Sequence, residues 1–186
     1  TGLIYCFRDR ERIMDIFEMT SGQRLIASYM RIGGISHDLP DTFIPAARSF
    51  IADFPKMIEE YEGLIVGNEI LQARLKGIGV LTAEEAIEYG VTGPNLRACG
   101  VEYDIRKADP YGIYDRFDFD LPLGSRGDSW DRLLVRIEEM VQSVHIIEQA
   151  LEGLPEGDIK AKVPRIIKPD KGSEVYHRIE SSKGEL

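Results

Sequence analysis

Between two stretches of helical periodicity the chain reads RIGGISHDLP, from Arg31 to Pro40. This segment limits the fold more than any other, because two adjacent glycines cannot continue a helix cheaply. Gly33 and Gly34 can take φ > 0 or let another backbone come close, and Arg31 and Asp38 are spaced to pair across the turn they enclose. The expectation is a rigid elbow. It is not a phosphate cradle, since the G-x-G-x-x-G spacing is missing, no lysine follows as in a P-loop, and no strand is evident before it.

On either side of the elbow the apolar residues recur with helical spacing. Residues from about Phe7 to Met19 place Ile13, Ile16 and Phe17 on one face, behind the charged run Arg8 to Arg12, and Ser21-Gly22 closes this helix. The charged run reads as a solvated helix start. A second helical region begins after Asp41-Thr42 and runs toward Lys76, with Phe50, Ile51, Phe54, Met57, Ile58 and Tyr61 at helical intervals. Pro55 predicts a kink, and Gly63 or Gly67 a further break. Thr82-Ala83-Glu84-Glu85 predicts a capping box opening a short helix over Ala83 to Tyr89, closed by Gly90.

From Val91 to Asp128 glycines, prolines and aromatics interleave, which predicts short strands and ordered turns, with period two clearest over Phe117 to Leu121. Asp128 or Ser129 then caps a helix carrying Leu133, Leu134, Ile137, Met140, Val141, Val144, Ile147 and Leu151 as a stripe, stopped by Gly153 and Pro155. A tail from Glu156 to Lys171 reads as an extended, poorly ordered connection, and Val175 to Glu180 as the start of another strand. The fold class is therefore mainly α with small β elements, an α+β chain. Residues 1–155 form the central helical part, and 156–186 an extended connection leading into a truncated β element. A start at Thr1, with no initiator methionine, secretory core or transit segment, is what an excerpt of a longer protein would show.

Charge and cysteines remove whole classes of function. Lys and Arg total 23 against 32 Asp and Glu, a net charge of −9, which argues against nucleic acid or an anionic lipid surface as principal partner. No apolar run approaches the ~20 residues a spanning helix needs. Cys6 and Cys99 are too few and too far apart to hold an iron–sulfur cluster, and read as small hydrophobes in a reducing compartment. His37, His145 and His177 have no metal-ligand spacing, so no metal is expected on this chain; His145 reads as a partly buried helical histidine and His177 as exposed. Neighbours Glu138 and Glu139 point about 100° apart on a helix, a solvated face rather than a carboxylate dyad. Asp118 and Asp120 read as an outward polar face. Ser125 and Ser129 lack a nucleophile elbow, and no catalytic residue is assigned. Arg97, Arg106 and Lys107 flank a Gly-Pro-rich turn, where carboxylates such as Glu102, Asp104 and Asp109 would tie loops together.

Taken in order, FRDRERIMDIFEMTSGQRL (Phe7 to Leu25), the elbow, GVTGPNLRACGVEYDIRKADPYGIY (Gly90 to Tyr114), FDFDLPLGSRGDSWDR (Phe117 to Arg132) and RIEEMVQSVHIIEQAL (Arg136 to Leu151) resemble the D-type subunit family of respiratory complex I. That complex is the proton-translocating NADH:quinone oxidoreductase. The resemblance covers nearly the whole chain and implies the nickel–iron hydrogenase large-subunit fold, with the metal and its cysteine ligands lost. It also implies a quinone as substrate, an iron–sulfur cluster in the neighbouring subunit, NADH at a distant one, and no cofactor on this chain. Partners would be the terminal cluster-bearing subunit, a homologue of the C-type subunit and other complex I subunits, on the cytoplasmic face of a bacterial membrane. The excerpt alone would be inert.

The family's known quinone ligands fall upstream of Thr1. The resemblance therefore leaves Leu3 and Ile4 as the remaining cavity wall, although core packing explains them equally well. Near the terminal cluster it places Arg24 and, two residues on, Ile26, where many relatives carry a histidine that hydrogen-bonds the cluster. An isoleucine cannot do that, so a lower, less pH-dependent cluster potential is expected, compatible with menaquinone. Two alternatives remain open: the equivalent subunit of a ferredoxin-, F420- or hydrogen-dependent membrane oxidoreductase, and a non-catalytic scaffold of the same fold.

Overall fold

A computed structural model describes residues 2–164 and 166–186; Thr1, and Arg165 within the 156–171 tail, lie outside the described residues. Helices dominate, and the β structure is confined to two short hairpins and one isolated bridge among these residues. The chain divides into two compact units, residues 1–61 with 151–175, and residues 62–150 with 176–186.

In the first unit, helix α1 (Gly2–Ser21) packs on helix α2 (Phe43–Tyr61). α2 buries Ala47, Phe50, Ile51, Met57, Ile58 and Tyr61, the i, i+3, i+4, i+7 face expected of its sequence, and α1 contributes Met14. Each large apolar side chain so buried contributes about 1.5–3 kcal/mol. α1 starts five residues before the predicted Phe7, because nothing in Gly2 to Cys6 breaks a helix. α2 continues through Pro55. The break falls instead at the predicted glycines, where a π-helical turn over Glu62–Val66 precedes helix α3 (Glu69–Leu75), capped by the Asn68 side chain.

Between α1 and α2 lies the elbow, a hairpin of β1 (Met30–Arg31) and β2 (Gly34–Ile35). Gly34, at φ 154°, lies where a Cβ would run into the backbone carbonyl of Ile159. That close approach lets the tail bond to the hairpin: Ile35 N–H donates to Ile159 O at 3.1 Å and Ala161 N–H to Gly33 O at 2.7 Å. The glycine pair acts as foreseen.

The second unit opens with α4 (Ala83–Glu88), whose capping box is present as predicted, Thr82 accepting from Glu85 N–H and Glu85 from Thr82 N–H. The strands expected between Val91 and Asp128 do not form. That stretch holds instead α5 (Gly93–Ala98), α6 (Ile105–Ala108) and a 3₁₀ turn at Tyr114–Arg116. Phe117 to Leu121 keeps its alternation, with Phe119 buried and Asp118 and Asp120 exposed, yet its partner is a helix. Asp118 and Asp120 N–H donate to the side chains of Gln149 and Gln142 at 2.8 and 3.0 Å, and Gln149 donates back to Asp118 O at 2.6 Å. Two glutamines thus replace the neighbouring strand.

Both glutamines belong to α7 (Ser129–Glu152), which buries Trp130, Val135, Ile137 and Val144. Asp128, fully buried, caps it by accepting from Asp131 N–H, and its other oxygen accepts from Gly77 N–H, each at 2.8 Å. Burial alone would raise this carboxyl; the backbone donors outweigh it and hold it below the usual range. His145 is exposed rather than partly buried, because it lies on the outer face of α7. The predicted final strand starts later, as the hairpin of β3 (Glu180–Ser181) and β4 (Gly184–Glu185).

Candidate functional site

Every residue that the sequence put forward for a site falls in the first unit. Leu3 and Ile4 stand at the start of α1 and are about 70% exposed, with Phe7 one turn further on also half exposed, so the described residues do not bury them. They form an apolar end on a helix whose next turns are charged. Arg8 donates to Asp9 at 2.7 Å and to Glu60 at 2.6 Å, and Arg12 to Asp53 at 2.8 Å. The charged run is therefore a set of bridges from α1 to α2 rather than a merely solvated start.

Asp9 is the member of that run which sequence reasoning missed. It is buried beside Tyr61, whose hydroxyl donates to Asp9 Oδ2 at 2.6 Å. Burial pushes the Asp9 carboxyl up, but hydrogen bonds from Arg8 and Tyr61 overcome it and hold the group ionised below its ordinary value. Burial and the same Asp9 oxygen push Tyr61 well above the ordinary tyrosine range. The spacing of Asp9 against Ile13 and Ile16 was the available signal, since an acid on or beside an apolar helical face needs a donor. A cleft of about 300 Å³ lies along this face, lined by Arg8, Arg12, Asp53, Lys56 and Glu60 with Asp9.

At the other end of α1, Arg24 donates to Glu11, Asp15 and Glu18 at 2.5, 2.6 and 2.8 Å. It pins the following loop back onto the helix. Ile26 is 96% exposed with φ 50°, the only non-glycine residue with positive φ among the described residues. For a β-branched side chain that conformation is a genuine outlier.

The elbow holds together differently from its expected form. Arg31 donates to Ser28 Oγ at 2.8 Å, while Asp38 accepts from Leu39 N–H at 2.8 Å, so the predicted Arg31–Asp38 pair is absent among the described residues. Both side chains satisfy the nearest backbone or hydroxyl group, which costs less chain entropy than spanning the turn. Asp38 lines a groove of about 510 Å³ that includes Ile35, Leu39 and Ile159.

The second unit holds a cluster that the sequence pointed to only in part. Arg97, 1% exposed, faces Asp104 at 3.0 Å and Glu180 at 3.0 Å, and donates to Glu139 at 2.6 Å. Arg106 donates to both oxygens of Asp104, at 2.9 and 2.5 Å. Arg97, Arg106 and Asp104 meet as expected; Asp109 pairs instead with Arg178 at 3.0 Å, and Lys107 sits over the Phe119 ring at 4.8 Å. Glu139, read as solvated, is drawn in because it faces Arg97 across α7, while Glu138 stays outside. Among the described residues no three His, Cys, Asp or Glu side chains are grouped to hold a metal ion, and no helix is long and apolar enough to cross a membrane.

The described residues thus present helices with an exposed apolar end on α1 and a buried ion cluster around Arg97. The chain belongs to the family described as respiratory-chain NADH dehydrogenase, 49 kDa subunit, whose model matches residues 1–186. It is 53% identical over its full length to the D-type subunit of NADH-quinone oxidoreductase from Clostridium beijerinckii and 55% identical over 99% of its length to that of Desulforamulus reducens. Against the same subunit of Desulfitobacterium hafniense it is 57% identical over 98% of its length. It spans about half the length of these relatives.

Proposed function

We propose that the chain is part of the quinone-site subunit of a proton-translocating NADH:quinone oxidoreductase, where it shapes the wall of the quinone cavity next to the terminal iron–sulfur cluster of a neighbouring subunit. The observation that carries this is the full-length family match, together with relatives named for NADH and quinone. On this reading the chain holds no cofactor itself, works with the cluster-bearing subunit and the homologue of the C-type subunit, and lies in the peripheral arm on the cytoplasmic face of the membrane. Its fold is that of the nickel–iron hydrogenase large subunit, which a superposition on such a hydrogenase tests directly.

The physical support is local. Leu3, Ile4 and Phe7 offer an unburied apolar surface of the kind a lipid-like head group or a partner subunit would cover. Replacing Leu3 or Ile4 by Asp in the assembled enzyme should abolish most quinone reduction while leaving NADH oxidation by a water-soluble artificial acceptor intact. Unchanged quinone turnover would sink the assignment.

Ile26 sharpens the same reading. A left-handed φ is several-fold more common for histidine than for isoleucine, which fits a position where the resemblance expects histidine. Arg24, locked by three carboxylates of α1, fixes the loop that presents it. We expect Ile26→Val to leave the cluster potential nearly flat with pH. Ile26→His should make it steeper, as read by redox titration at several pH values.

A further inference from the structure

The second unit takes three carboxylates and two guanidiniums largely out of water. Asp104, Glu139 and Glu180 surround Arg97 and Arg106, with side-chain exposures of 0, 19 and 8% for the acids. Arginine keeps its proton at any working pH, so with every acid ionised the cluster carries one uncompensated negative charge. A buried unpaired charge is costly, and the usual remedy is a carboxyl that keeps a proton.

The three acids are not equally placed to do so. Asp104 accepts two side-chain bonds and the backbone N–H of Arg106, and also faces Arg97, all of which favour its ionised form. Glu139 has the short bond from Arg97 and the most solvent. Glu180 has a single donor, Arg97 Nη2 at 3.0 Å, and looks onto the Asp104 charge. Other charged or titratable groups around it are already engaged. Arg178 and Glu185 of its own hairpin pair at 3.2 Å, and Tyr103 donates to Glu185. The Tyr111 hydroxyl accepts Glu180 N–H and its ring lies edge-on to His177, while Tyr114 lines a pocket beside Glu180. From α7, Arg136 spends its donors on Arg132 O and Asn95.

We propose that Glu180 is a proton-binding site which, through Arg97, couples the uptake of one proton to the docking of the 179–186 hairpin on α5. This goes beyond, and is independent of, the quinone reading. Glu185 N–H donates to Thr92 Oγ1 at 2.9 Å, the Tyr103 hydroxyl to Glu185 at 2.9 Å and Glu180 N–H to the Tyr111 hydroxyl at 3.0 Å, and Gly184 crosses Gly93 so closely that a Cβ on either would strike the other segment. Among the hairpin's ties, Glu180 to Arg97 is the one that joins a buried carboxyl to a guanidinium of α5. A pocket of about 380 Å³ lined by Ser143, Ser181, Ser182, Arg136 and Glu139 opens onto the carboxyl and gives a proton its path from water. In support, burial and then Asp104 raise Glu180 above its ordinary value of 4.5, and Arg97 offsets this only in part. A group raised in the docked state favours docking at low pH, and that favour is lost as pH rises through the raised value.

Hydrogen exchange of the peptide spanning residues 176–186, followed in the assembled enzyme from about pH 5 to about pH 9 and corrected for intrinsic base catalysis, reads this directly. Protection should fall by up to about tenfold per pH unit over one limb of the profile and then level off. Glu180→Gln keeps an acceptor for Arg97 without the charge, so its protection should stay high and flat. Should that variant fail to assemble, Glu139→Gln removes a negative neighbour and should move the falling limb to lower pH. A flat profile in the unsubstituted enzyme, a Glu180→Gln profile that still falls, or a limb unmoved by Glu139→Gln each overturns the proposal.

Discussion

Arg24 and Arg97 each hold three carboxylates, and the two clusters behave in opposite ways. The partners of Arg24 are Glu11, Asp15 and Glu18, all on α1, all within 13 residues and all more than half exposed. Those of Arg97 come from the cap of α6, from α7 and from β3, up to 83 residues away, in a site largely withdrawn from water. Exposed pairs on one helix close little loop entropy and are screened by salt. Buried pairs between distant segments fix tertiary structure, and removing one member strands the rest. The number of ion pairs therefore says little, and what they connect says most.

The sharpest way to break the comparison is Arg97→Ala. It leaves buried carboxylates without their counter-charge and should cost about 3–5 kcal/mol, seen as lost hydrogen-exchange protection in α5, α7 and the final hairpin. Tyr61→Phe is intermediate. It removes the one hydroxyl donor to buried Asp9 and should cost about 1–3 kcal/mol of protection in α1 and α2. It should also alter the pH profile. Tyr61 is raised in the folded state, so the unsubstituted first unit loses stability as pH rises above the ordinary tyrosine value of 10, and the Phe variant, left with the smaller contribution of Tyr29, should lose less. Arg24→Ala should have the smallest effect, loosening residues 22–26 in low salt and changing nothing measurable in high salt. Equal losses from Arg24→Ala and Arg97→Ala would overturn the contrast.

The long helices and the capping box were legible in the sequence because their signals are local, whereas the short helices α5 and α6 were read as strands. The capping box at Thr82 and the end of α1 at Ser21 fall where side-chain chemistry puts them. What failed was non-local. Period two over Phe117 to Leu121 reports that alternate residues are buried, not what accepts the backbone bonds, and no pattern in the segment itself announces glutamines 22 and 31 residues away. Asp9 and Glu139 looked like surface acids because the donors that claim them, Tyr61 and Arg97, are 52 and 42 residues distant. Arg31 and Asp38 failed the other way, since nearby groups satisfied each at lower cost. Leu3, Ile4, Arg24 and Ile26 were put forward through resemblance, and the elbow residues through their own spacing. Their exposure gives that choice a physical motive only at Leu3, Ile4 and Ile26.

The glutamines of α7 have a consequence for how such a chain can live among many others. A lone extended segment normally advertises a row of free amides that any stray strand can zip onto. Here Gln142 and Gln149 occupy the amides of Asp118 and Asp120 that share one border, so that border has no vacancy for an intruder. Two side chains thereby close that border to misregistered pairing, without the bulk of an extra strand.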